Sequence, residues 1–238
     1  MRILITNDDG IYAEQLVPLV RWAKSLGEVT VVAPLYEQSA KSHGIEIHKP
    51  FTVQQVDLGV EGVTAYAVDS TPADCVRFAV LGQKMAFDLV LSGVNRGYNI
   101  GTDIMYSGTV AAASEASLLG IPALALSTSF ENYPNATVEL PQVMDYIREQ
   151  GLLEVHSTYN INIPPCPKGV CITHQGGPYY SDSFPAVGEG LYQAEGLCVH
   201  KNGGDLTLDT DATISGYISV MPLTIHRTDV TVYEKLTK

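Results

Sequence analysis

Short apolar runs alternate with stretches of helical periodicity over the first 130 residues. Leu16, Val20 and Ala23 predict a helix, because they recur three or four residues apart. A second helix is expected to begin at Thr71-Pro72, where a hydroxyl residue precedes a proline, as at many helix N-termini. A third helix is expected over residues 109–119. Strands are predicted at residues 2–6, 28–34, 63–68, 87–91 and 123–127.

Nearly continuous apolar strands that alternate with helices are typical of a parallel sheet covered on both faces. The predicted fold class is therefore α/β, with residues 1–130 as the core. From residue 155 onward the chain is richer in glycine and proline, and its strand-like stretches lack long helices between them. We expect residues 131–238 to add strands, hairpins and loops that pack on this core or extend from it.

Composition and charge narrow the function classes. The chain has 238 residues, of which 45% are hydrophobic and 17% charged, as in globular proteins. Its net charge of −12 repels polyanions and argues against a nucleic-acid polymer as partner. A small phosphorylated substrate stays compatible, because a bound cation can reverse the local charge. The opening residues do not resemble a signal peptide and no run is long enough for a membrane span, so we expect a cytoplasmic protein with no membrane partner.

Polar and glycine-rich segments follow several of the predicted strands. Ligands of open α/β sheets bind beyond the carboxyl ends of the strands, so parallel strands would bring these segments to one edge. The segments span residues 6–10, 36–43, 69–71 and 92–101.

The adjacent carboxylates of Asp8 and Asp9 are the first candidates for chemistry, because they repel each other unless a cation lies nearby. Oxygen ligands suit Mg²⁺, Mn²⁺ or Ca²⁺, and Ser39 and Asn95 could complete the set from neighbouring strand ends. The alternative is turn chemistry, since Asp-Gly is a common turn pair and one acid could cap the following helix.

Ser107, Gly108 and Thr109 open the third predicted helix, and free backbone amides at such a start can bind a phosphate. An ordinary N-cap before a close-packed alanine-rich helix would give the same sequence. The loop before it matches neither a P-loop nor a dinucleotide fingerprint. Lys41 and His43 could face a phosphate or protonate a leaving group, or could be surface residues.

Several ordered motifs span the chain: I-L-I-T-N-D-D-G at 3–10, Gln38-Ser39, T-P-A-D-C-V at 71–76, S-G-V-N-R-G-Y-N-I-G-T-D at 92–103, Y-S-G-T-V-A-A-A at 106–113, N-I-N-I-P at 160–164 and G-Y-I-S-V-M-P-L at 216–223. Together they resemble the SurE family, which comprises survival-protein nucleotidases that are metal-dependent phosphatases. The resemblance implies a Rossmann-like three-layer αβα sandwich with a mostly parallel sheet and a C-terminal strand and hairpin extension. It implies one divalent cation per subunit on Asp8, Asp9, Ser39 and Asn95. The family usually has glycine where this chain has Ala40.

The implied activity is a 5′-nucleotidase that releases phosphate from nucleoside 5′-monophosphates. The family also acts on 3′-nucleotides, some members shorten polyphosphate, and its C-terminal part joins subunits into homodimers or homotetramers. Our hypothesis is in-line attack by a metal-activated water, with Asp8 and Asp9 as catalytic residues. An aspartyl-phosphate on Asp8, a non-catalytic nucleotide-binding regulator and a transferase of activated sugars stay open. Predicted substrate contacts are Asn7, Lys41, His43, Gly93, Asn99, Ser107, Gly108 and Thr109.

Overall fold

The structure is a computed structural model and describes residues 1–237. Nine strands form one sheet, in which six neighbouring central strands run parallel and two pairs are antiparallel. This confirms the predicted α/β class. In spatial order the strands are β3 (Val53–Val56), β4 (Thr64–Val68), β2 (Glu28–Pro34), β1 (Arg2–Thr6), β5 (Leu89–Arg96), β6 (Ala123–Thr128), β7 (Thr158–Ile163), β13 (Ile218–Pro222) and β8 (Val170–Ile172).

Helices cover both faces of the sheet. Successive side chains of a strand point to opposite sides, so each strand contributes to both of the resulting cores. Ile3 and Ile5 of β1 pack in one core cluster with residues of α1 (Leu16–Ala23) and α4 (Leu140–Glu149). Leu4 packs in a second cluster with residues of α2 (Pro72–Arg77) and α3 (Gly108–Leu118). The result is the expected αβα sandwich.

Helices α2 and α3 both begin with a side-chain cap. The Thr71 hydroxyl accepts a hydrogen bond from the Asp74 amide, and Pro72 occupies the first turn of α2. Ser107 caps α3 by accepting from the Val110 amide at 3.1 Å. The alanines of α3 are fully buried, so this helix lies close against the sheet. Both N-termini lie within one residue of the predicted positions.

Strand β5 is longer than predicted. The expected strand ended at residue 91, but β5 runs from Leu89 to Arg96. Pairing with β6 resumes at Asn95 after a shift in register that begins at Ser92, and it continues to Arg96. Gly93 and Asn95 therefore belong to the strand itself and not to a loop that follows it.

The second part of the chain contributes to the same sheet through β7, β13 and β8. It also supplies α4, which was not predicted, and the short helices α5 (Leu152–Val155), α6 (Asp209–Ile214) and α7 (Val230–Leu236). The division near residue 130 stays a prediction. Two small antiparallel pairs lie outside the main sheet: β9 (Tyr180–Ser183) with β12 (Glu195–Cys198), and β10 (Ala186–Gly188) with β11 (Leu191–Tyr192). Within residues 1–237, no helix combines the length and apolar character needed to cross a membrane.

Candidate active site

Asp8 lies just after the carboxyl end of β1, buried against the N-terminus of α3. The Thr109 hydroxyl donates a hydrogen bond of 2.5 Å to Asp8 Oδ1. A Cβ added at Gly108 would lie 2.8 Å from Asp8 Cβ, so only glycine allows this approach. The start of α3 and the end of β1 therefore meet in close contact.

The two carboxylates are electrostatically unfavourable as they stand. Burial raises the pKa of Asp8, and hydrogen bonds from the Thr109 hydroxyl and nearby backbone amides only partly offset this. Burial and then the charge of Asp8 raise the pKa of Asp9 to about 7. A cation beside both groups would remove this penalty, because an opposite charge favours the ionised carboxylate.

Two further segments contact this pair. The Gln38 amide donates to the Asp8 carbonyl at 2.7 Å, which brings the adjacent Ser39 to the site. The Arg96 amide donates to Asp9 Oδ2 at 3.3 Å and brings the adjacent Asn95. The structure thus gathers the segments that carry all four predicted metal ligands.

The donor atoms of these residues fit a hard divalent cation. Ser39 and Asp9 line a common cleft of about 400 Å³. The Ser39 hydroxyl donates to Glu37 at 2.6 Å, and Asn95 Nδ2 donates to the Gly97 carbonyl at 2.8 Å. Asn95 Oδ1 accepts no hydrogen bond from any residue in the described range 1–237. Two carboxylates, an amide oxygen and a hydroxyl oxygen are ligands suited to Mg²⁺, Mn²⁺ or Ca²⁺.

This oxygen set has few acids. Among residues 1–237 there is no group of three or more His, Cys, Asp or Glu arranged to hold a metal ion. Ser39 and Asn95 are neutral oxygen donors and do not belong to these four residue types. A cation held by only two carboxylates keeps room for waters and substrate phosphate, as Mg²⁺ sites commonly do.

The predicted substrate contacts fall into two groups. In the first, Asn7 and Gly93 contact neighbouring backbone groups of the protein. Asn7 closes a turn, because its amide nitrogen donates to the Gly10 carbonyl and its oxygen accepts from the Gly10 amide. Gly93 allows β5 and β6 to pack closely: a Cβ there would lie 2.3 Å from the Leu126 carbonyl oxygen. Both residues therefore fix the backbone at this edge of the sheet.

The second group lies at or near the start of α3. The Ser39 loop is tied to it, because the Ser42 amide donates to the Tyr106 carbonyl at 3.0 Å and its hydroxyl to the Met105 carbonyl at 2.7 Å. Lys41 is exposed within that loop. Ala40 has a φ of 58°, a left-handed conformation that favours glycine and accounts for the glycine usual in the resembling family.

His43 has a partner that the sequence did not predict. Its Nε2 lies 2.8 Å from Glu115 on α3, and Glu115 also accepts from Arg77 on α2 at 2.9 Å. The His43 ring lines a separate cavity of about 420 Å³ together with Ser107. The structure therefore engages His43 in holding the Ser39 loop against two helices.

Aromatic side chains beside Asp9 were also missed. The Arg96 guanidinium lies 5.7 Å from the ring centre of Phe130 and 5.8 Å from that of Tyr133. Burial, and then the charge of Asp9, raise the pKa of the Tyr133 hydroxyl to about 12. Phe130 and Tyr133 lie in the connection after β6, and their aromatic character was the only sequence signal for them.

Comparison with known proteins decides the family. The family model described as "Survival protein SurE" matches residues 3–182. The chain belongs to the SurE family. A 5′-nucleotidase SurE of Thermosipho melanesiensis is 37% identical over 241 residues, which cover 96% of this chain and 93% of that protein. The 5′-nucleotidase SurE of Carboxydothermus hydrogenoformans is 42% identical over 240 residues, 94% of this chain and 90% of that protein.

A solved structure agrees at the level of the whole fold. The crystal structure of the SurE protein from Aquifex aeolicus has a TM-score of 0.78 and 31% sequence identity, and the match covers 100% of this chain and 98% of that one. SurE membership confirms the resemblance inferred from the motifs. The assignment of individual ligands and substrate contacts stays a prediction that rests on the geometry above.

Proposed function

We propose that this SurE protein is a metal-dependent 5′-nucleotidase, which hydrolyses nucleoside 5′-monophosphates to a nucleoside and phosphate. One observation carries the proposal: two adjacent carboxylates, of which Asp8 is buried and Asp9 half-buried, meet the N-terminus of α3 and the Ser39 and Asn95 segments at one edge of the sheet. The 5′-nucleotidase names of the relatives support the substrate class.

Asp8, Asp9, Ser39 and Asn95 would hold one divalent cation through oxygen atoms. When bound, such a cation polarises a phosphoryl oxygen and lowers the pKa of a coordinated water. Mg²⁺, Mn²⁺ and Ca²⁺ all accept these ligands, so the activity with each ion has to be measured to identify the one that is used.

The chain's own groups would bind and orient the phosphoryl group. The first amides of α3 point out of the helix and carry partial positive charge, which favours an anion. Ser107, Gly108 and Thr109 lie at this end, and Thr109 already contacts Asp8. The Arg96 amide holds Asp9 in place. The Asp9 carboxylate can accept a hydrogen bond from the attacking water and so orient it. Hydrogen-bond donors that are fixed towards the charge developing in the transition state usually make the largest single contribution to the rate.

Three finer features belong to the same proposal. Activity on 3′-nucleotides and on short polyphosphate rests on the family resemblance. A homodimer or homotetramer joined through the C-terminal part is supported by two hairpins whose strands are exposed along their length. The cytoplasmic location stays a prediction from the sequence.

The test is phosphate release from a panel of nucleoside monophosphates, after chelation and then with each divalent ion added back. Asp9→Asn keeps the shape of the side chain but removes its charge, and we expect it to lose metal-restored release. Asp145→Asn is the matched control, since Asp145 pairs with Arg148 on the exposed side of α4. A folded wild type that binds nucleotide but releases no phosphate with any ion would favour a regulatory nucleotide-binding protein.

A further inference from the structure

Strand β7 has an unusual polar face. Tyr159, Ile161 and Ile163 join the aliphatic core, whereas Asn160 and Asn162 alternate with them and are fully buried on the other side. Strands inside a parallel sheet are normally apolar on both faces. A buried carboxamide without hydrogen bonds costs about 1–3 kcal/mol, so these two residues require a local reason.

Both carboxamides bind the same peptide unit. Asn160 Nδ2 and Asn162 Nδ2 each donate to the carbonyl oxygen of Asn99 at 2.8 Å. The Asn99 amide donates in turn to Asn162 Oδ1 at 2.9 Å. Asn160 Oδ1 is buried and finds no partner among residues 1–237, so its nitrogen alone engages the Asn99 carbonyl. We call this arrangement of Asn160 and Asn162 around Asn99 the asparagine clamp.

The clamped residue lies in a segment that touches the paired aspartates at both ends. At the start of the segment, the Arg96 amide donates to Asp9. At its end, Gly108 and Thr109 contact Asp8. Asn99 lies between these contacts, in the loop that joins β5 to the turn before α3. Fixing the Asn99 backbone therefore fixes the connection between the two sides of the site.

A second anchor holds the same loop two residues further on. Asp209, fully buried at the start of α6, accepts from the Gly101 amide at 2.8 Å and from the Gly176 amide at 2.7 Å. Gln175 donates to the Gly101 carbonyl at 3.0 Å. The C-terminal part of the chain thus provides every one of these anchors for a loop of the N-terminal part.

The Asn99 side chain remains able to bind a substrate. Its Nδ2 donates one hydrogen bond to the Ser127 hydroxyl at 2.8 Å. A carboxamide nitrogen carries two N–H groups, so the second is available to an oxygen acceptor such as a phosphoryl group. Its direction is set by the backbone that the clamp holds and by Ser127.

We propose that Asn160 and Asn162 are positioning residues of the phosphatase reaction, which act through Asn99 by aiming its side-chain N–H at the phosphoryl oxygens of the substrate. The inference rests on the proposed function and adds to it a role for β7 at a distance from the metal ligands. Because misplacement of a catalytic group by about 1 Å can reduce the rate about 100-fold, loss of the clamp should be visible in turnover.

The test is a double-mutant cycle on phosphate release from a nucleoside 5′-monophosphate with the divalent ion at saturation. Asn162→Ala removes two hydrogen bonds to Asn99, and we expect kcat/KM to fall about 10- to 100-fold. Asn160→Ala removes one bond and should reduce it less, and it also serves if the first variant folds poorly. In the Asn99→Ala background, either clamp substitution should reduce kcat/KM less than twofold further, because the side chain that it aims is already gone.

Ser219→Ala is the matched control for loss of a buried hydrogen bond. Ser219 lies directly across from Asn162 on β13, is fully buried and bonds Thr173 at 2.8 Å without touching Asn99. We expect it to lower Tm as the clamp variants do but to leave kcat unchanged. Equal kinetic losses in the control, or clamp losses that multiply fully with that of Asn99→Ala, would overturn the proposal in favour of a purely structural role. A wild type without phosphatase activity would instead overturn the proposed function itself.

Discussion

At the scale of single residues, Glu115 connects three parts of the fold with one carboxylate. Its side chain is only 5% exposed, yet it pairs with His43 of the Ser39 loop and with Arg77 of α2. Burial by itself raises the pKa of Glu115, but the hydrogen bonds and charges of His43 and Arg77 outweigh it, and the net shift is downward. A carboxylate whose pKa is lower in the folded state stabilises the fold when it is ionised.

We therefore predict a pH-dependent stability difference between the wild type and Glu115→Gln. The contribution of Glu115 is fully present above its ordinary pKa of 4.5 and is lost as the pH falls through the lower folded value. At neutral pH the variant should be less stable by about 1.5–3 kcal/mol, as expected for a hydrogen bond to a charged group. The measurement is the urea midpoint of both proteins from about pH 7 down to about pH 3, a range that extends below the ordinary pKa of Glu115, where the difference should shrink.

The control is Glu149→Gln, at the exposed end of α4, whose difference from the wild type should be small across the range. The interpretation fails if the Glu115→Gln difference stays constant or grows as the pH is lowered. In that case the pair with His43 and Arg77 would not depend on the ionised carboxylate.

At the scale of secondary-structure elements, α3 has two tasks at one end. Ser107 caps the helix through its hydroxyl, and the same turn faces Asp8 as the proposed phosphate site. Capping needs a side-chain acceptor, whereas phosphate binding needs an absence of negative charge. Substitutions at Ser107 can therefore separate the two.

We predict that Ser107→Asn and Ser107→Asp leave the cap intact, because asparagine, aspartate and serine are about equally good N-caps. The two variants should unfold within about 0.5 kcal/mol of each other. They differ in charge at nearly equal shape, so only the aspartate should repel a phosphate dianion. We expect kcat/KM of Ser107→Asp to fall at least about tenfold below that of Ser107→Asn, since charge–charge repulsion of 1.4 kcal/mol gives that factor. Equal activities would place the phosphate elsewhere.

Elements also show where sequence reasoning reached its limit. The caps at Thr71 and Ser107 are local, so the N-termini of α2 and α3 were predictable to within a residue. The extension of β5 past Gly93 was not, because it depends on pairing with β6, which no local pattern encodes. The clamp asparagines belong to the N-I-N-I-P motif at 160–164, in which polar residues alternate with apolar ones. That alternation was a usable signal, but their partner Asn99 lies about 60 residues away in the chain.

The meeting of the proposed metal ligands was easier to predict from the sequence than the surroundings of the proposed substrate contacts. Residues at or just after the carboxyl ends of parallel strands lie at one edge of the sheet, which brings Asp8, Ser39 and Asn95 near one another from topology alone. His43 illustrates the opposite case, because its direction depends on the packing of α2 and α3 through Glu115. Side-chain direction within a loop follows from tertiary contacts, and a loop sequence does not contain them.

At the scale of the whole molecule, the outer hairpins bury almost nothing within their own chain. Within the described part of the chain, β9 forms a strand pair only with β12, and β10 only with β11. One further backbone contact ties them to the core, because the Tyr180 amide donates to Asp103 at 2.9 Å. Val187, Leu191, Tyr192 and Leu197 are each more than half exposed. An isolated two-stranded hairpin is at best marginally stable in water, and clustered exposed apolar side chains mark interaction surfaces. This supports the proposed homo-oligomer, in which a second subunit would cover the hairpins.

We predict that the wild type sediments as a dimer or tetramer of the 25.7 kDa chain, and that Leu191→Glu with Tyr192→Glu shifts it towards the monomer. Burying a charge against an apolar partner surface is strongly unfavourable, whereas the exposed hairpin of a monomer would tolerate it. Analytical ultracentrifugation over a range of concentrations measures the change. Val155→Glu is the control, since Val155 is 81% exposed at the end of α5 and outside the hairpins. A wild type that stays monomeric at high micromolar concentration, or a control that dissociates equally, would contradict a role of the hairpins in assembly.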